Sequence, residues 1–242
     1  MTETHFSAQT QKLSLLAAVS CAMPAPALTN LQKYCSTVVL LPPDPLLPAP
    51  IASHADMLLF PIGDALVVHK RYYDIAQVQI DTILCRSGRK LILTNCPCGN
   101  IYPLDVVLNA FLCDRFLFGR LDVLAPEILS LAKEAEITPV HIRQGYAGCS
   151  GIAVGSTVIT ADPSLTKAAR TCGLSVFSVP DKDILLPGYD HGFFGGCGGV
   201  GENTVFLCGT PSFRIPDFLS AVYLSADPLY DCGGIRFFHQ YK

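Results

Sequence analysis

The sequence is poor in charge. Only 15% of its 242 residues are Asp, Glu, Lys or Arg, the formal net charge is −3, and no dense Lys/Arg run occurs. It therefore carries no electrostatic footprint for nucleic acid. The pairs Lys70-Arg71 and Arg89-Lys90 read as solvated turn ends. Mean hydropathy is high at +0.38, yet no apolar stretch reaches the roughly 18–20 residues needed to span a bilayer, so no membrane partner is expected. The nearest approach, "LSLLAAVSCAMPAPAL" from Leu13, is broken by serines and prolines. It resembles a signal-peptide core, but Glu3 precedes it and Lys12 is the only upstream cation. The expectation is an N-terminal extension over 1–30, helical and packed on a single domain at 31–242.

Paired cysteine spacing is also missing. The eleven cysteines are scattered through apolar surroundings such as "TILCRS" and "VFLCGT". Free Cys packs as a small hydrophobe, so this usage points to reduced thiols and a cytoplasmic protein. Cys96-Pro97-Cys98 has no second pair, which gives no zinc site. No metal and no cofactor are expected, and oligomeric state is not legible.

What the chain does have is repetition. Half of it is hydrophobic, enough for a large core. After the proline-rich connection 42–50, "PPDPLLPAP", four stretches each read as strand, turn, strand. These are 54–70, turning at Gly63-Asp64; 104–120, turning near Cys113-Asp114; 149–162, turning at Gly155-Ser156; and 197–209, turning near Glu202-Asn203. A helix and a further strand follow. Residues 124–142 show helical apolar spacing and then a short strand; Asp162 and Pro163 form a helix start, and Gly173 stands where that helix stops. "TPSFRIPDFLSAVYLS" reads as a less regular helix. The anchors Asp56, Asp105, Cys149 and Cys197 stand 49, 44 and 48 residues apart in turn. Such a period signals radial or solenoid repetition. The unpaired strands "STVVLL" and "DCGGIRFF" near the two ends would complete a fifth unit. The fold class expected is α/β, a closed five-bladed β/α propeller of strand–strand–helix–strand repeats, whose closure leaves no sheet edge exposed.

In a radial arrangement the head of each first strand points at the axis. His54 and Asp56, Asp105 and Asn109, 145–150, 190–197 and 231–234 would meet there. Either these groups satisfy one another or they serve a ligand, because an unpaired buried carboxylate is costly. His54 and Asp56, at i and i+2, would face one side of a strand. His69, His141 and His239 read as ordinary strand-end residues. Gly196, Gly198 and Gly201 match a dinucleotide fingerprint formally, but the β-branched strand "TVFLCG" follows where a helix is needed. Nor does Gly-Lys-Ser/Thr follow, as a phosphate loop requires. The glycines are explained by backbones converging with no room for Cβ atoms.

"HADMLLFPIGD", "QGYAGCS", "ITAD", "GYDHGFFGGCGG" and "YDCGG" together resemble an uncharacterised bacterial domain family of the guanidino-group-modifying enzyme, or pentein, fold. The resemblance spans roughly 30–240. It implies a five-bladed propeller and, in active members, a cysteine thiolate attacking a guanidinium carbon, with carboxylates gripping its nitrogens and a histidine moving protons. Such an enzyme would be a hydrolase or transferase acting on non-peptide C–N bonds. The family's nucleophile follows a glycine pair on the last strand; here Gly233-Gly234 is followed by Ile235, Arg236 and Phe237, and Cys232 precedes the pair. The catalytic candidates are then Cys197, Cys149, His54 and His191, and the substrate-binding candidates Asp56, Asp105, Asn109, Asp190 and Asp231. Three classes follow: a binding pocket for a small guanidino or amidine cation, a hydrolase or amidinotransferase using a non-standard cysteine, and a non-catalytic interaction module.

Overall fold

A computed structural model describes residues 13–180 and 182–240. The strands group into five separate three-stranded sheets with helices interspersed, a mixed α/β fold. Each sheet is open; none closes on itself.

The chain begins with β1 (Leu13–Ser20), α1 (Ala25–Tyr34) and β2 (Cys35–Leu41). A helical turn, α2 (Ala55–Leu58), then leads into β3 (Leu59–Ile62) and β4 (Ala65–His69). Helices α3 (Lys70–Ile75) and α4 (Gln77–Ser87) return to β5 (Lys90–Thr94). The third sheet is β6 (Phe111–Cys113), β7 (Phe116–Gly119) and, after α5 (Pro126–Glu134), β8 (Thr138–His141). The turn α6 (Ala147–Ser150) precedes β9 (Gly151–Val154) and β10 (Thr157–Thr160), and α7 (Pro163–Thr171) leads to β11 (Ser175–Ser178). Last come β12 (Gly198–Gly201), β13 (Thr204–Leu207), β14 (Ser220–Tyr223) and β15 (Arg236–His239).

One pairing scheme recurs in all five sheets. The middle strand is antiparallel to the first and parallel to the third, in the orders β3-β4-β5, β6-β7-β8, β9-β10-β11, β12-β13-β14 and β15-β1-β2. Four first–middle pairs are two-residue hairpins whose leading turn residue has positive φ: Gly63 (54°), Asp114 (53°), Gly155 (55°) and Glu202 (57°). That geometry suits the right-handed twist of paired strands. Asp162 caps α7 by accepting from the Leu165 N–H at 2.6 Å, with Pro163 at the first position.

The apolar N-terminal run departs from expectation. Of the extension expected over 1–30, residues 1–12 lie outside the described residues, and Leu13–Ser20 is a strand rather than a helix. Leu15 to Val19 are buried throughout, as a middle strand covered on both faces requires. Only Ala25–Tyr34 is helical, and it supplies the crossover between the parallel β1 and β2. The second departure is 210–219. No helix forms there, Pro211 and Pro216 interrupt it, and "SAVY" is the strand β14.

Neighbouring first strands contact one another, β6 with β9, β9 with β12, and β12 with β15. Residues of β3, β6, β9, β12 and β15 together line one cavity of about 210 Å³. The core is distributed in apolar clusters between sheets and helices rather than gathered in one centre.

Candidate functional site

The head of each first strand is a tight corner. Helical turns α2 and α6 precede β3 and β9, and a 3-10 turn at Gly195–Cys197 precedes β12. The glycine corner 231–234 docks among them: the Asp56 N–H donates to the Gly233 carbonyl at 2.9 Å, and the Cys232 and Gly234 N–H groups both donate to the Gly196 carbonyl, at 3.0 and 2.8 Å. A Cβ on Gly196 would lie 2.0 Å from Asp231 Oδ1, and one on Gly198 would lie 2.0 Å from the Phe206 carbonyl oxygen. The glycines mark crowded backbone, as their sequence context implied.

His54 and Asp56 are not two residues of one strand. His54 is the N-cap of α2 and Asp56 lies in its first turn, because the Met57 N–H closes a turn back onto the His54 carbonyl at 3.1 Å. The turn still directs His54 toward the C-terminal corner. Its Nδ1 lies 3.8 Å from Asp231 Oδ1, with both side chains buried. Gly233, at φ +79°, abuts the base of the His54 side chain, where a Cβ would fall 2.2 Å from His54 Cγ and 2.4 Å from its Cα.

Asp231 is held by two backbone donors, Phe193 N–H to Oδ2 at 2.8 Å and Gly233 N–H to Oδ1 at 3.0 Å. Burial pushes its carboxyl up to about 6; His54 opposes that rise, the Asp56 charge adds to it, and the backbone donors oppose it. Asp56 is wholly buried, and neither carboxylate oxygen has a hydrogen-bond partner among the described residues. Asn109, equally buried, ties the corner together. Its amide N–H groups point at the Asp56 carbonyl (3.1 Å), Met57 Sδ (3.0 Å) and Cys149 Sγ (3.0 Å), and its Oδ1 accepts from the Gly148 N–H at 2.6 Å.

A pocket of about 260 Å³ opens over this corner. His54, Cys149 and Asp231 reach it from the buried side, and Asp190 and His191 from an exposed loop. Its walls include Met57, Leu186, Tyr146, Tyr189 and Phe193. Tyr146 and Phe193 stack with centroids 5.7 Å apart. The Tyr146 hydroxyl donates to Asp105 Oδ2 at 2.5 Å, so Asp105, itself outside the pocket, orients a wall residue. Burial, then the Asp105 hydrogen bond, pushes that phenol far up.

The two thiols part company. Cys149, on α6, lines the pocket. Cys197 is fully buried in an apolar cluster with Phe194, Val205 and Leu207, and its thiol points at the Phe193 carbonyl at 3.3 Å. It does not line the pocket. Both thiols are raised well above their ordinary range, by burial first; the carboxylates of Asp56 and Asp231 add to the rise at Cys149, and Asp231 is the next contributor at Cys197. His191 is exposed; its Nδ1 lies 3.1 Å from the Gly192 carbonyl and its ring meets Phe193 edge-on. Tyr146 and Phe193 were visible in "GYAGCS" and "HGFFGG", but aromatic residues beside glycines read as packing until their stacking is seen. No cluster of three or more metal-ligating side chains exists among the described residues.

A family model matches residues 18–236, and the chain belongs to that family, a family of unknown function (DUF6873). No match is found among curated proteins. Two solved structures are similar in fold at very low identity. DDAH from Pseudomonas aeruginosa, a cysteine-to-serine mutant complexed with citrulline, is 7% identical with TM-score 0.47, covering 70% of this chain and 76% of its own. A dimethylarginine dimethylaminohydrolase captured as an adduct with S-methyl-L-thiocitrulline is 8% identical with TM-score 0.49, covering 81% and 84% respectively.

Proposed function

We propose that the five sheets are the blades of a closed, pentein-like propeller, and that the pocket over its glycine corner binds a small guanidino or amidine cation without covalent chemistry. The ring is supported by the single cavity that residues of all five first strands line. The ligand class is supported by one observation above the rest. Two buried carboxylates meet at this corner: Asp231 lines the pocket 3.8 Å from His54, and Asp56 lies outside the lining, close enough for its charge to act on Asp231. Uncompensated buried negative charge is expensive, and a planar cation with several N–H donors would offset it. Tyr146, Tyr189 and Phe193 supply faces for the same cation. The reducing interior of the cytoplasm suits the eleven thiols.

The second reading, a hydrolase or amidinotransferase, is favoured by Cys149 lining the pocket with His54. A bound cation would lower that thiol, but in the free protein burial and two acids hold it protonated. Binding alone is therefore the function the geometry supports best. Thermal unfolding in the presence of guanidino and amidine compounds tests it. A ligand at a hundred times its Kd adds about 2.7 kcal/mol, so the midpoint should rise for cations and stay fixed for neutral citrulline. If no cation in the series moves it, the reading falls.

A further inference from the structure

Among the described residues that line it, the pocket holds acids but no lysine or arginine. Its carboxylates there are Asp190 and Asp231, and its basic side chains are the imidazoles of His54 and His191. Each imidazole already turns one ring nitrogen to a protein oxygen, His54 Nδ1 to Asp231 at 3.8 Å and His191 Nδ1 to the Gly192 carbonyl at 3.1 Å, and neither ring is the fixed cation that a lysine or arginine would be. The Phe193 N–H, a backbone donor on the wall, is already given to Asp231 at 2.8 Å. The rest of the wall is apolar or aromatic, from Ile51 and Leu186 to Tyr146.

We infer that the ligand carries no carboxylate: it is a guanidino or amidino cation on an alkyl or amine tail, not an amino acid of the arginine type. This rests on the reading of the pocket as a cation site and specifies it. An amino acid would have to bring its own carboxylate beside Asp190 and Asp231, where like charges repel and no lysine or arginine among the described lining residues is there to pair with it. An alkyl tail would meet Leu186, Ile51 and the aromatic faces instead, and a terminal ammonium would approach Asp190 at the exposed rim. Discrimination here is a penalty on the wrong partner rather than an added contact for the right one.

Calorimetric titration of the full chain at pH 8 decides it, using n-butylguanidinium, agmatine, L-arginine and L-arginine methyl ester. The first two should bind at least tenfold more tightly than L-arginine, and the ester, which lacks the carboxylate charge, should recover most of that difference. L-arginine binding as tightly as the alkyl cations overturns the inference while leaving a cation pocket in place. An ester no better than the free acid overturns it too, since charge would then not be the cause. Saturable binding by none of the four removes the cation reading itself.

Discussion

Gly196 and Asp231 are separated by less than a side chain. A Cβ on Gly196 would stand 2.0 Å from Asp231 Oδ1 and 2.4 Å from its Cγ. The Gly196 carbonyl also receives the N–H groups of both Cys232 and Gly234, so neither chain segment can move aside alone. Gly196→Ala should lower stability by about 2 kcal/mol or more in urea unfolding. Gly155→Ala, at a hairpin turn with nothing within 4 Å, should cost only its positive-φ strain, about 1 kcal/mol.

Asp231 makes stability depend on pH in a defined direction. Its carboxyl is pushed from 3.8 to about 6 on folding, so the native state holds a proton that the unfolded chain releases. The stabilisation is complete below about pH 4 and is lost as pH rises through about 6. Wild type should therefore lose on the order of 2–3 kcal/mol relative to Asp231→Asn between pH 4 and pH 7. Unfolding curves of both proteins across that range measure it, and parallel curves would contradict it. Affinity for a guanidino cation should rise over the same interval.

Asp56→Asn should separate stability from binding. The wild-type carboxylate is wholly buried with neither oxygen hydrogen-bonded, and removing its charge should raise unfolding stability by roughly 1–3 kcal/mol. The same change should weaken cation binding at least tenfold. A variant that loses both stability and binding would show that Asp56 holds the corner together rather than serving a ligand.

The thiols can be ordered by alkylation. Exposed Cys21 and Cys85 should react with iodoacetamide first, and Cys149 and Cys197 should stay unmodified at pH 7 over the same time, because burial keeps them protonated. Fast modification of Cys149 below pH 8, suppressed by a guanidino compound, would favour the covalent reading instead. Peptide mapping by mass spectrometry distinguishes the sites.

Hairpins were the legible part of the sequence. Gly63-Asp64, Gly155-Ser156 and Glu202-Asn203 turn where their local chemistry places them, because a two-residue turn is specified by its own residues. "LSLLAAVS" was misread because a strand buried on both faces loses the alternation that identifies strands. Its partner β15 lies more than two hundred residues away, beyond any local signal. At the site, glycine crowding was readable, whereas the separation of Cys149 from Cys197 was not. Both sit in glycine-flanked corners, and only the packing of Phe194, Val205 and Leu207 around Cys197 sets them apart.

The sheet that joins Leu15 to His239 and Leu16 to Phe238 fixes a timetable for biosynthesis. Four sheets are contiguous in the chain and can assemble as they leave the ribosome, but β1 is made long before β15 and must wait for it, exposed along one edge. Because Asp231 is carried on the segment leading into β15, the pocket is incomplete until that segment has been made and has docked. A nascent chain that has not reached residue 231 should therefore lack the pocket, however nearly folded the rest of it is.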